Sequence, residues 1–250
     1  MQELQETFLS HLIELRERLV RSLVAVAILL VPCLYFSSEL YDILAAPLMH
    51  ALPANTKMIA TGVITPFLIP MKIAALTAFL GALPYVLYQA WAFVAPGLYA
   101  HEKRLVLPLI VSSTLLFFAG MAFCYFIVFG RVFAFIAAFA PQSVNVSPDI
   151  EAYFNFVLGM FMAFGLAFEV PVVVVVLVLS GVISVDQLRE FRGYVIVGIS
   201  VIAAVITPPD AVSMISLAIP MCLLYEVGIL AAQLVEKRRR EPRVGEPSRE

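Results

Sequence analysis

Long, nearly uninterrupted apolar runs dominate the sequence, near residues 20–38, 70–95, 105–130, 152–182, 193–207 and 212–235. Most reach the ~20 residues that cross about 30 Å of hydrocarbon as helix. A transmembrane β-barrel would instead show ~10-residue segments alternating apolar and polar residues. The continuous runs predict an all-α polytopic membrane protein with six transmembrane helices. The fifth run, Gly193 to Thr207, is short: its 15 residues extend only about 22 Å as helix. The third errs the other way, staying apolar apart from Arg131 as far as Ala140. It is expected to tilt, or to leave the membrane near Gly130-Arg131 and continue as an interfacial helix.

Outside the runs, Phe8, Leu12, Leu15 and Leu19 fall on one helical stripe, with Glu14, Glu17, Arg18 and Arg21 on the other side. This predicts an amphipathic helix over 7–21 that leads into the first span. Ser38 through Leu52 reads as an interfacial helix interrupted at Pro47. Thr207-Pro208-Pro209-Asp210 leaves spans five and six as a tight hairpin. One membrane domain over 1–236 results, followed by a charged tail, 237–250, whose composition predicts disorder.

Composition agrees: 62% of residues are hydrophobic and 14% charged, with a mean hydropathy of +0.98. Soluble domains are about 45–50% apolar and about 25% charged. The distribution of the sixteen Lys and Arg residues adds orientation. Arg16, Arg18 and Arg21 precede the first span, Lys103 and Arg104 follow the second, Arg189 and Arg192 follow the fourth, and six follow the sixth. Positive charge collects on cytosolic loops, so both termini are predicted to be cytosolic, which requires an even number of spans. No cleavable signal peptide is apparent.

Catalytic and metal-binding patterns are missing from the sequence: there is no His-Glu-x-x-His, no Gly-x-Ser-x-Gly, no Gly-rich phosphate loop and no Cys/His cluster. Neither an enzyme nor a cofactor is expected, and Cys33, Cys124 and Cys222 read as packing residues. Glu169 stands out at mid-span, where an ionisable group costs at least ~2.5 kcal/mol and is a functional candidate by default. A structural role, bonding backbone freed by Pro171 or a polar group on another helix, is the competing explanation. Glu226 in the sixth run poses the same question nearer the cytosolic end. Glu14 and Glu102 form an acidic pair on the basic face, suited to a cationic ligand. Taken singly, each also fits an ordinary surface charge, Glu14 paired with Arg18 and Glu102 beside Lys103 and Arg104.

Four motifs in register carry a resemblance: Ser10-His11-Leu12-Ile13-Glu14-Leu15-Arg16, Phe93-Val94-Ala95-Pro96-Gly97-Leu98-Tyr99…Glu102-Lys103, Ala163-Phe164-Gly165…Phe168-Glu169-Val170-Pro171 and Thr207-Pro208-Pro209-Asp210. From about residue 8 to 235 the chain resembles the TatC family, the multispanning component of the twin-arginine protein translocase. The resemblance implies a non-enzymatic receptor in the bacterial cytoplasmic (inner) membrane, driven by the proton-motive force. It implies binding of the twin-arginine signal peptides of folded proteins, assembly in several copies with the single-span partners TatB and TatA, and no nucleic-acid partner. By the same resemblance, Glu14 and Glu102 would take the arginines, with Arg16 orienting Glu14 and Gln89 and Phe93 meeting the apolar part of the signal. Pro96 and Gly97 would fix the turn presenting Glu102, while Pro47, Asp210 and Glu169 match further positions of the pattern. Ser213-Met214 and Gly130-Arg131 depart from it, where a Gln and a Pro are common. A proton-coupled secondary transporter using Glu169 is the alternative; it would favour internal repeats, and none is evident.

Overall fold

The computed structural model describes residues 2–51, 57–94, 106–139, 147–206 and 211–240. It is a bundle of helices: α1 (Gln2–Tyr35), α2 (Ser37–Ala51), α3 (Thr65–Val94), α4 (Val106–Phe123), α5 (Phe129–Phe139), α6 (Ile150–Phe168), α7 (Val170–Leu179), α8 (Val185–Glu190), α9 (Arg192–Ile206) and α10 (Ala211–Arg240). Among the described residues, five helical stretches are long and apolar enough to cross a membrane, and α9 is a further, shorter apolar helix. Large apolar side chains such as Leu23, Val31, Val201, Val205, Leu223 and Leu234 point outward. That arrangement suits a lipid solvent, in which apolar exposure carries no penalty.

The amphipathic segment leads into the first span as one unbroken helix, α1. The third run stays helical past Gly130-Arg131 to Phe139, with a π turn over Cys124–Val128. One expectation is corrected here: Pro47 does not interrupt α2. A proline leaves the carbonyl four residues back without its helical donor. Here that carbonyl, Ile43, accepts from the Tyr125 hydroxyl at 3.0 Å, and the adjacent Leu44 carbonyl accepts from Tyr153 at 2.8 Å. Tyrosines on distant elements thus replace the missing bond and hold α2 against the bundle. At the other end of the chain, helix persists through Arg240, inside the stretch expected to be disordered.

The core is aromatic and lies where α5 and α6 meet, around Phe129, Phe133, Phe154, Phe161 and Phe164. A second cluster joins α7, α8 and α10 through Val172, Val174, Val176, Leu188, Tyr225 and Ile229. Glycines permit the tightest approaches. A side chain at Gly228 would meet the Pro171 Cα at 2.9 Å, so α7 and α10 touch nearly backbone to backbone.

At the start of α3 and α6, polar contacts tie the segment before α3 to the bundle. Asp149 caps α6 by accepting from the Ala152 amide at 2.9 Å and also accepts from the Thr61 hydroxyl at 2.7 Å and the Thr61 amide at 3.2 Å. These bonds, that of Ala152 first, hold its carboxyl below the usual carboxylate range. A carboxyl with a lower pKa folded than unfolded adds stability that is complete above the unfolded value. That stability fades as pH falls through the folded value. The Thr61 and Ala152 amides are therefore expected to lose hydrogen-exchange protection below about pH 4, and Asp149→Asn to flatten that dependence. Equal protection at neutral and acid pH in the unaltered protein would contradict this.

Candidate functional site

Helix α1 packs antiparallel along α3, so its stretch from His11 to Arg18 meets the last turns of α3. His11, Glu14 and Arg18 recur at three- and four-residue spacing and share one face. Gln89 and Phe93, four residues apart, form the facing stripe on α3. Arg18 Nε and one terminal nitrogen (NH2) donate to Glu14 Oε1 at 3.0 and 2.6 Å. Its other terminal nitrogen (NH1) donates to Gln89 Oε1 at 3.3 Å, across 71 residues of sequence. The His11 ring stacks on Phe93 with centroids 4.2 Å apart and an interplanar angle of 19°. Gln89 is buried, whereas the Glu14 side chain retains 35% of its accessible surface and Arg18 22%. An accessible carboxylate beside an aromatic ring and a buried amide oxygen is a setting that recognises a planar cation.

Of the residues picked from sequence, Glu14, Gln89 and Phe93 are brought together. Arg16 is exposed and makes no hydrogen bond or ion pair with Glu14 among the described residues. The residue paired with Glu14 is Arg18, which sequence spacing placed only as a surface partner. Glu102, Pro96, Gly97 and Asp210 lie outside the described residues. Pro47 sits half-buried within α2.

Glu169 occupies the turn between α6 and α7. Pro171, at the start of α7, has no amide to continue the helix, and the chain turns at Glu169 with φ −74° and ψ −15°. Its side chain is 8% exposed and accepts a hydrogen bond from the Ser113 hydroxyl of α4. Ser113 in turn accepts from the Trp91 indole nitrogen at 3.1 Å. Oε1, the other carboxylate oxygen, is buried without a hydrogen-bond partner among the described residues. Trp91 and Ser113 were not singled out from sequence. The available signals were a hydroxyl cluster, Ser112-Ser113-Thr114, inside an apolar run and the only tryptophan of the chain two residues from Gln89. Residues two apart on a helix point about 200° from one another. The end of α3 thus faces α1 through Gln89 and α4 through Trp91. Glu226 is half-buried and accepts from Arg192 at 2.6 Å. That ion pair, with both side chains nearly half exposed, contributes about 0–1 kcal/mol to the α9–α10 contact.

Comparison with known proteins agrees with this architecture. The family described as Sec-independent protein translocase protein (TatC) matches residues 10–220. A Sec-independent protein translocase protein TatC of Haemophilus influenzae is 45% identical over 239 residues, covering 96% of this chain and 93% of that protein. The TatC of Escherichia coli K12 is 48% identical over 224 residues, covering 90% and 87%. A crystal structure of the twin arginine translocase receptor TatC superposes with a TM-score of 0.79 at 40% identity, covering 90% of this chain and 99% of the other. A second, of the same receptor in DDM, superposes with a TM-score of 0.80 at 39% identity, covering 89% and 99%. With helices long enough to span a membrane and a match along most of its length, the chain belongs to the TatC family of Sec-independent protein translocase components.

Proposed function

We propose that this protein is the receptor of the twin-arginine translocation complex in the bacterial cytoplasmic membrane, with both termini cytosolic. It binds the paired arginines of signal peptides on folded cargo through Glu14 and Glu102 and assembles with TatB and TatA for export driven by the proton-motive force. The convergence of Glu14, Gln89 and Phe93 at one end of the α1–α3 pair carries this reading. The basic residues near that end favour its cytosolic placement. The proton-coupled transporter is not favoured, because relatives that match this chain along most of its length are named as translocase components. Photocrosslinking in membranes from position 93 to a twin-arginine signal peptide tests the assignment. Adducts that vanish when both peptide arginines become lysine are expected, and adducts indifferent to that change would count against it.

Glu169 is proposed to turn Oε1, buried and without a hydrogen-bond partner among the described residues, toward a polar group on a partner's transmembrane helix. A lone buried acceptor in lipid gains more from such a bond than one exposed to water. Short α9, spanning about 22 Å, would thin the bilayer locally where such helices gather. Glu169→Gln keeps an acceptor oxygen and should preserve crosslinking to the single-span partners, while Glu169→Leu should remove it. Normal crosslinking in both variants would eliminate this contact.

A further inference from the structure

Glu14 already holds a guanidinium. Arg18 places two nitrogens on Oε1, at 3.0 and 2.6 Å, and its third reaches Gln89 Oε1 at 3.3 Å. The other carboxylate oxygen, Oε2, has His11 Nδ1 at 3.9 Å, beyond hydrogen-bond distance. A fork-to-fork arginine pair needs both carboxylate oxygens. In this state Glu14 offers an incoming arginine only one.

The geometry points to Arg18 as a resident competitor that sets the affinity of the Glu14 site, with the signal-peptide guanidinium binding by exchange for it. The inference rests on the receptor reading above. Three features make exchange feasible. Glu14 is the more accessible member of its pair, so a ligand reaches the carboxylate before the resident arginine. Arg18 already touches Gln89, so leaving Glu14 does not leave it without a protein partner. Gln89 itself is only 4% exposed, which fixes the receiving amide in place.

Exchange costs every incoming cation the same, because Arg18 must leave Glu14 before any of them takes its place. An incoming arginine regains the charge-assisted N–H bonds that Arg18 gives up, and it can form them on both carboxylate oxygens where Arg18 uses only Oε1. A lysine ammonium is a point charge with no planar fork and regains less, so the preference for arginine lies in the complex itself. Competition weakens both ligands alike, by the fraction of time Glu14 is free. A partly exposed pair at i,i+4 spacing sets that factor at about two- to fivefold.

The test uses the full chain in lipid nanodiscs and two synthetic signal peptides, one with adjacent arginines and one with a single arginine changed to lysine. Arg18→Gln is expected to tighten the diarginine and the lysine peptide alike, by about two- to fivefold, with the ratio of their affinities kept. Arg18→Lys, which keeps the charge and removes the fork, should tighten both by a smaller factor. Diarginine binding that is unchanged or weaker in Arg18→Gln would overturn the inference and make Arg18 a positioning residue for Glu14. So would tightening in Arg18→Gln with none in Arg18→Lys, since charge alone would then account for it. Glu14→Gln separates this from the receptor reading: undiminished diarginine binding there overturns the reading itself.

Discussion

Replacing Glu14 with alanine is expected to weaken binding of a twin-arginine signal peptide by about 10- to 100-fold, with the protein still present in the membrane at its usual level. The size follows from removing a charge-assisted hydrogen bond, worth about 1.5–3 kcal/mol when one partner is lost. Retention of the fold follows from the location. Glu14 is partly exposed on α1, and its pair with Arg18 is an i,i+4 surface pair that adds only a few tenths of a kcal/mol to the helix. After the change Arg18 still has Gln89. The double variant Glu14→Ala with Glu102→Ala should abolish crosslinking to the peptide altogether. Crosslinking at the original level in the double variant would remove both residues from the site.

A second large effect is expected in the helix contacts that carry Ser113 and Glu169. At Gly120 of α4, a Cβ would lie 2.4 Å from the Phe164 carbonyl oxygen and 2.8 Å from the Phe168 ring. The contact is reciprocal: a Cβ at Gly165 of α6 would lie 2.5 Å from the Phe117 ring. Each glycine thus receives an aromatic side chain or backbone from the opposite helix. The obstructing atoms at Gly120 include backbone, which cannot swing aside. Gly120→Val is expected to cost at least the 1–3 kcal/mol typical of overpacking and to lower the thermal midpoint in detergent. Gly130→Ala provides the contrast, because nothing lies within 4 Å of that position. There the better helix propensity of alanine should leave stability unchanged or raise it by up to about 1 kcal/mol. Equal effects at the two positions would contradict the close α4–α6 packing.

The helical membrane class was legible because the apolar runs are continuous, and the short fifth run appears as the 15-residue helix α9. What escaped the sequence depends on partners far along the chain. Pro47 is a helix breaker by local rules, and α2 survives it because Tyr125 supplies the missing donor to Ile43. The π turn over Cys124–Val128, inside a uniformly apolar run, likewise has no local marker in the sequence. The same division holds at the site. The Glu14–Arg18 pair is local and visible as a four-residue spacing, whereas the Arg18–Gln89 bond joins two helices 71 residues apart. Local spacing therefore suggested an unremarkable surface pair. Helix packing turns it into the centre of a polar cluster. For Glu169, sequence raised backbone and side-chain partners equally, and the packing of α4 selects the Ser113 hydroxyl, backed by Trp91.

Photocrosslinking from positions 14, 93 and 102 to one twin-arginine signal peptide, in membranes, bears on whether these residues form a single receptor site. All three positions should yield adducts with the same short stretch around the paired arginines, and each should lose them when both arginines become lysine. Adducts from position 102 mapping to a different part of the peptide, or adducts at 14 and 93 that survive the change to lysine, would contradict a shared diarginine site.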